Sequence, residues 1–188
     1  MLISNWNAGE VTDRCVSSLL KFTDYPKDKI KIIIVDDSST DNSPAFLRRK
    51  YSRMIDIIAL KKNFGFIMAN NIGIKYIMER YGPHFILLLN NDTQIVQRNW
   101  LTNLIEIAEQ DDKVWVIGPR LIFPNRRVQW SGRTKENKTL PLIFQTISAG
   151  FNPGVGKMKK RRLTLALLEK LTRLVVHACS LKPKHLKE

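Results

Sequence analysis

The chain has 188 residues, 44% of them apolar, and a formal charge of +14 from 31 Lys or Arg against 17 Asp or Glu. That length buries one sizeable core and falls short of two ordinary domains. No run approaches the ~20 consecutive apolar residues that a membrane-spanning helix needs, and two cysteines far apart, Cys15 and Cys179, suggest neither a disulfide framework nor a zinc site.

The charge is unevenly placed. Residues 1–118 carry 15 Lys or Arg and 14 Asp or Glu, so the basic excess belongs to the carboxyl-terminal part. An excess confined there, with no interleaved stacking aromatics and no recognisable binding module, argues against nucleic acid as a partner. The amino end lacks a basic stretch followed by an apolar one and a small-residue cleavage site. The expected location is cytoplasmic, with peripheral contact at the inner face of the membrane.

Leu2 and Ile3 read as the end of a first strand whose beginning is missing, followed by the polar loop Ser4-Asn5-Trp6-Asn7. Val11, Cys15, Leu19 and Phe22 then recur at helical spacing. Residues 30–35 form a short apolar run rich in Ile and Val, which predicts a buried strand, and it empties into Asp36-Asp37-Ser38-Ser39-Thr40-Asp41. A third strand over 55–60 ends in Lys61-Lys62-Asn63-Phe64-Gly65, and Ile67, Asn71, Ile74 and Met78 mark a second amphipathic helix. A fourth strand over 85–89 ends in Asn90-Asn91-Asp92; Leu101, Leu104, Ile105 and Ala108 mark the next helix, and residues 114–117 another strand. From Pro119 to Lys160 the chain is rich in Pro, Gly, Asn and basic residues, as loops are. Residues 163–176, beside Arg162, Lys170 and Arg173, predict a basic amphipathic helix of the kind that lies on anionic membrane surfaces.

Strands alternating with helices predict an α/β fold with a mainly parallel sheet and helices on both faces. Ligands of such sheets bind beyond the carboxyl ends of the strands, where this sequence concentrates its polar residues. Asp36 and Asp37, delivered by a buried strand, suit the imide of a pyrimidine or the hydroxyls of a ribose, which need acceptors. The same pair could simply end a strand and cap a helix. Asn90-Asn91-Asp92 presents oxygens at the end of a strongly apolar strand, as a divalent cation bridging a diphosphate requires, although a polar turn has the same composition. Two such strand ends, in this order in one small domain, favour the ligand-binding reading.

Four ordered blocks carry a family likeness: Asn-Trp-Asn at residues 5–7, Val-Asp-Asp-Ser-Ser-Thr-Asp at 35–41, residues 62–73, and Leu-Leu-Leu-Asn-Asn-Asp-Thr at 87–93. With them the sequence resembles glycosyltransferase family 2, inverting enzymes of the GT-A fold, and in particular its rhamnosyltransferase-like branch, over residues 1–119. The resemblance implies that Asp36 and Asp37 contact base and ribose, with Asn5 and Asn7 beside the nucleotide. It implies that Asn63 and Gly65 belong to the loop closing over the donor, and that Asn70 and Asn71 hold the following helix against the site. Asn90, Asn91 and Asp92 take the DXD-like position, with Asp92 touching Mn2+ or Mg2+. Trp6 and Trp130 border the ligand.

The implied partners are a nucleoside diphosphate sugar, UDP- or dTDP-linked, and a glycan or lipid-linked acceptor. Residues 1–119 then form the donor-binding subdomain and 120–188 a partial acceptor-side region. In the family an acidic residue that deprotonates the acceptor follows a strand like the one resembled by residues 175–182. After Asp112 the only acids are Glu136, Glu169 and Glu188, none in a matching context. Three expectations stay open: a shortened chain, which is favoured; a base borrowed from another chain; or a protein that binds donor without transferring sugar.

Overall fold

The computed structural model describes residues 1–110, 116–130 and 173–176. Strands β1 (Leu2–Asn5), β2 (Ile32–Asp36), β3 (Ile55–Ala59), β4 (Phe85–Asn90) and β5 (Val116–Ile117) alternate with helices α1 (Gly9–Phe22), α2 (Ser43–Tyr51), α3 (Gly65–Tyr81) and α4 (Trp100–Gln110). An antiparallel pair, β6 (Leu121–Ile122) and β7 (Val128–Trp130), precedes β8 (Arg173–Val176). The main sheet runs β3-β2-β1-β4-β8-β5, and every pairing in it is parallel.

Alternation along the strands divides the core in two. Ile3, Ile32, Ile34, Leu87 and Leu89 face α1, α2 and α4, where they meet Val16, Leu19, Leu47, Tyr51, Leu101 and Leu104. Leu2, Ile33, Val35 and Ile86 face the other way, onto Ala69, Ile74 and Ile77 of α3. With cover on both sides, β2 buries all five of its residues, which explains why it reads as an unbroken apolar run rather than an alternating one.

Gly73 sets how closely α3 can lie on the sheet. A Cβ there would stand 2.5 Å from Leu2 Cδ1 and 2.8 Å from Val35 Cγ2, so only glycine permits this approach. The contact also fixes which side of α3 is buried. Ala69, Asn70, Gly73, Ile74 and Ile77 face inward, a stripe rotated from the predicted Ile67, Asn71, Ile74 and Met78.

The carboxyl end of the predicted basic helix is a strand. Arg173 to Val176 form β8 between β4 and β5, in register with Phe85 to Leu88. Two parallel ladders satisfy the backbone of this β-branched segment, and that outweighs its helical spacing of apolar residues. Residues 163–172, like Trp115, Glu136, Glu169, His177, Cys179 and Glu188, lie outside the described residues.

Candidate functional site

From β1 the chain builds outward through β2 to β3, and α3 then returns it across the sheet to β4 on the other side of β1. The order therefore reverses between β1 and β4, which opens a crevice at the carboxyl ends of these strands. Helices α1, α2 and α3 all begin at that end, so their positive amino termini converge there, an arrangement that favours anions.

A continuous chain of hydrogen bonds ties the ends of β4, β1 and β2 together. Asn91 Nδ2 donates to Thr12 Oγ1 (3.1 Å), Thr12 Oγ1 donates to Asn5 Oδ1 (2.6 Å), and Asn5 Nδ2 donates to Asp36 Oδ1 (2.6 Å). Every bond runs toward the Asp36 carboxylate, which also accepts from Ser39 Oγ (2.6 Å) and Ser39 N (2.9 Å). Asn5, Thr12 and Asp36 are almost completely buried. In such surroundings each of these bonds matters chiefly through the cost of leaving its partner unpaired.

Asn7 extends this network to the start of α2. Its backbone N–H donates to Ser39 Oγ (2.8 Å), and its Oδ1 accepts from Thr40 N (2.7 Å) and Asp41 N (3.2 Å). Asn7 and Ser38 hold φ angles of 48° and 61°, a left-handed conformation that non-glycine residues adopt at a cost. These two lie in one loop pair, where these hydrogen bonds hold Asn7.

Asp37 points elsewhere. Its two oxygens accept from Phe64 N and Gly65 N, each at 2.8 Å, and Gly65 N also lies 3.0 Å from Asn63 Oδ1. Gly65 has φ +78°, and a Cβ there would meet nothing within 4 Å, so glycine is required for its conformation and not for space. Asn70 is buried against its own helix, donating to Phe66 O (2.7 Å).

The end of β4 is different in kind. Asn90 Oδ1, Ser4 Oγ and Thr93 Oγ1 are buried oxygens with no hydrogen-bond partner, and Ser4 and Asn90 are register neighbours on adjacent strands. The turn itself is held by Thr93 N donating to Asn90 O (3.1 Å), with Cys15 Sγ 3.7 Å from the same carbonyl. Burial, and after it the Asp92 charge, pushes the Cys15 thiol up to about 12. Among the described residues no group of three or more His, Cys, Asp or Glu could hold a metal. Asn90 and Asp92 do offer the hard oxygens that Mg2+ or Mn2+ takes, so a cation here would complete its coordination with oxygens of a bound anion. The donor set fits that use.

All nine site residues read from the sequence thus stand at the carboxyl edge of the sheet, in three groups. Asn5, Asn7, Asp36 and Asn91 share one network; Asp37, Asn63 and Gly65 form a second; Asn90 and Asp92 lie in the β4 turn. Trp6, 57% exposed, stands between Asn5 and Asn7 at the rim. The reading missed Thr12, although a polar residue on the Cys15, Val16 and Leu19 face of α1 has to find a partner inside. A cavity of about 580 Å3 opens at the opposite end of the sheet, among Tyr25, Ile77, Phe85 and Leu104, and contains none of these residues.

Known proteins resemble this chain in sequence and in fold. Poly(ribitol-phosphate) beta-N-acetylglucosaminyltransferase TarP of Staphylococcus aureus is 29% identical over 124 residues, 63% of this chain and 35% of TarP. Glycosyltransferase GlyG of Streptococcus pneumoniae is 30% identical over 122 residues, covering 63% and 37% of the two chains. This chain spans little more than a third of such relatives. Among solved structures, Staphylococcus aureus TarS 1-349 in complex with UDP superposes with a TM-score of 0.61 at 17% identity, over 95% of this chain and 60% of that one. Mannosyltransferase PcManGT from Pyrobaculum calidifontis, in complex with GDP-Man and Mn2+, gives 0.53 at 19% identity, over 66% and 35%. The expected GT-A-like α/β fold is therefore present. The profile of the family described as Glycosyl transferase family 2 matches residues 1–168, and with the sheet, the switch point and the strand-end residues in place, the chain belongs to that family.

Proposed function

We propose that this chain binds a nucleoside diphosphate sugar at the carboxyl ends of β1, β2 and β4. The whole protein would transfer the sugar, with inversion, to a hydroxyl of a glycan or lipid-linked acceptor. One observation carries the reading: at the switch point, a network joining three strand ends stands beside a buried Asn90 oxygen that has no protein partner. Few buried acceptors in native proteins go without a partner, and a bound ligand is one way such an acceptor is satisfied. The relatives agree in chemistry, since TarS is seen with UDP and PcManGT with GDP-Man and Mn2+. The reading keeps the rhamnosyltransferase-like branch, in which Asn in first place of the DXD-like motif is common.

In this reading the Asn5, Asn7 and Asp36 loops receive the nucleoside, and the amino termini of the helices face the diphosphate. Asn90 and Asp92 would hold Mn2+ or Mg2+, whose role is to offset charge on the departing diphosphate. Residues 1–119 supply donor recognition, and 120–188 belong to the acceptor side. The base that activates the acceptor is not assigned to a residue of this chain. If it is missing, the chain binds donor without transferring sugar.

Calorimetric titration with UDP and dTDP, with and without Mn2+ and repeated on Asp92→Asn, tests the site. Metal-dependent binding that Asp92→Asn abolishes is expected; a folded protein that binds neither nucleotide under any of these conditions would overturn the reading.

The basic carboxyl-terminal part favours a second, compatible role at an anionic membrane surface on the cytoplasmic side. Among the described residues no helix is long and apolar enough to cross a membrane. Flotation with anionic vesicles should weaken when residues 157–188 are deleted, and unchanged flotation would exclude the role.

A further inference from the structure

Asp36 and Asp37 are neighbours with separate tasks. Asp36 gathers the network of β1 and its own loop, whereas Asp37 reaches across to the start of α3. The backbone N–H of Asp37 donates to Asn5 O at 2.8 Å, so its main chain is fixed to β1 while its carboxylate receives Phe64 N and Gly65 N. Its side chain is buried, with both oxygens engaged.

The two N–H groups it receives are the first free donors of a 17-residue helix. Helix α3 starts after Phe64, whose side chain cannot accept a hydrogen bond and gives no cap. A carboxylate from a different strand end therefore caps the helix, at the terminus where negative charge is most favourable. The turn it holds has little other support. Gly65 sits at φ +78°, Asn63 supplies one further acceptor from within the turn, and Lys61 to Phe64 are exposed, with Lys62 Nζ 4.9 Å from the Phe64 ring centre.

We infer that Asp37 is a positioning residue, a cap in trans that fixes the Asn63-Phe64-Gly65 turn against the β1 and β2 loops and sets donor affinity through that turn. The inference rests on the donor-binding reading above and changes the part Asp37 plays in it. Each carboxylate oxygen already accepts one backbone bond, so the first turn of α3 holds Asp37 in place whatever its remaining lone pairs receive. Asp36 and Asp37 are then not two equivalent ligand contacts: the first shapes the nucleoside loop, and the second ties the opposite wall to it.

The experiment measures amide hydrogen exchange in the full chain, wild type and Asp37→Asn, followed by titration with UDP plus Mn2+. Asparagine keeps one acceptor and turns an N–H2 group toward the other backbone donor. Phe64 and Gly65 amides should exchange about tenfold faster or more in the ligand-free variant, with Ile33, Ile34 and Val35 unchanged. The dissociation constant for UDP should rise about tenfold, and saturating UDP should return protection to the two amides. Gly65→Ala, which keeps Asp37 but opposes the left-handed turn, should reproduce both effects and replaces Asp37→Asn if that variant does not fold.

Unchanged exchange at Phe64 and Gly65 with weakened UDP binding would make Asp37 a direct ligand contact and overturn the inference. Faster exchange with unaltered affinity would leave a helix cap without bearing on the site and overturn it equally. A wild-type chain that does not bind UDP would defeat the nucleotide reading and the positioning role with it, while the exchange rates would still decide whether the cap exists.

Discussion

The loops after β2 and the turn after β4 lie on either side of β1, yet they are built in opposite ways. After β2, Asp36 accepts three hydrogen bonds and Asp37 two, all from the protein, and the strained Asn7 is tied to the same loop through Ser39, Thr40 and Asp41. After β4, buried oxygens of Asn90 and Thr93 have no partner. A fully satisfied polar network rigidifies and specifies one geometry, while an unpaired buried acceptor costs stability that something bound can recover. The β2 side is thus pre-organised in the free protein, and in the proposed reading the β4 side is the part that a ligand would complete.

That contrast predicts where substitutions damage the fold and where they damage binding. The largest loss of stability is expected for Asp36→Ala. It removes the acceptor of three bonds and leaves Asn5 Nδ2, Ser39 N and Ser39 Oγ to find other partners in a buried place, at a cost of about 3 kcal/mol or more. Urea unfolding measures it, and a loss below ~1 kcal/mol would show that the β2 network is not rigid in the sense claimed.

Thr12→Val cuts the link between the two sides with little change of shape. Asn5 Oδ1 loses its donor and Asn91 Nδ2 its acceptor, which should cost about 1–2 kcal/mol. UDP binding should weaken as well, since Asn91 is no longer tied to β1. If stability falls but affinity does not, the chain of bonds is a structural strut and the two sides bind independently.

Asn90→Ala inverts the pattern. Its side-chain oxygen makes no hydrogen bond in the free protein, so urea unfolding should change by only about 0.5 kcal/mol, while the Mn2+-dependent part of UDP binding is lost. A marked destabilisation with affinity retained would mean that the β4 turn is as complete as the β2 loops.

What the sequence revealed of this contrast follows from how each element is stabilised. The runs that became β2 and β4 were legible because burial on both faces leaves nothing but apolar residues until the strand emerges at its polar end. The candidate residues at the strand ends were legible for the same reason, as polar positions following buried strands. Helix α2 gave no periodic signal, since only Ser43, Leu47 and Tyr51 of it are buried. The inward face of α3 was misread because Gly73, invisible to a count of apolar residues, lets Leu2 and Val35 approach the helix axis. The segment of β8 carries helical spacing, and its state is decided by pairing with β4 and β5, which no local pattern encodes. The division of labour between Asp36 and Asp37 depends on partners 27 and 28 residues away in the chain.

The smallest effect concerns the floor of the β4 turn. Cys15, free and buried beneath Asn90, has its thiol pushed up from 9.0 to about 12, first by burial and second by the Asp92 charge. A thiol whose pKa is higher in the folded chain than in the unfolded one keeps its stabilising share below pH 9 and loses it as the pH rises toward 12, because the unfolded chain gives up its proton first. Asp92→Asn removes the second cause and leaves the first. The thiol should then titrate lower than in the wild type but still above its ordinary value, and the alkaline loss of stability should be slightly smaller. The pH dependence of alkylation by a small thiol reagent reads this directly. An unchanged profile would place the Asp92 charge away from Cys15, in solvent, and would weaken the case that the β4 turn holds a poorly solvated carboxylate for a cation to meet.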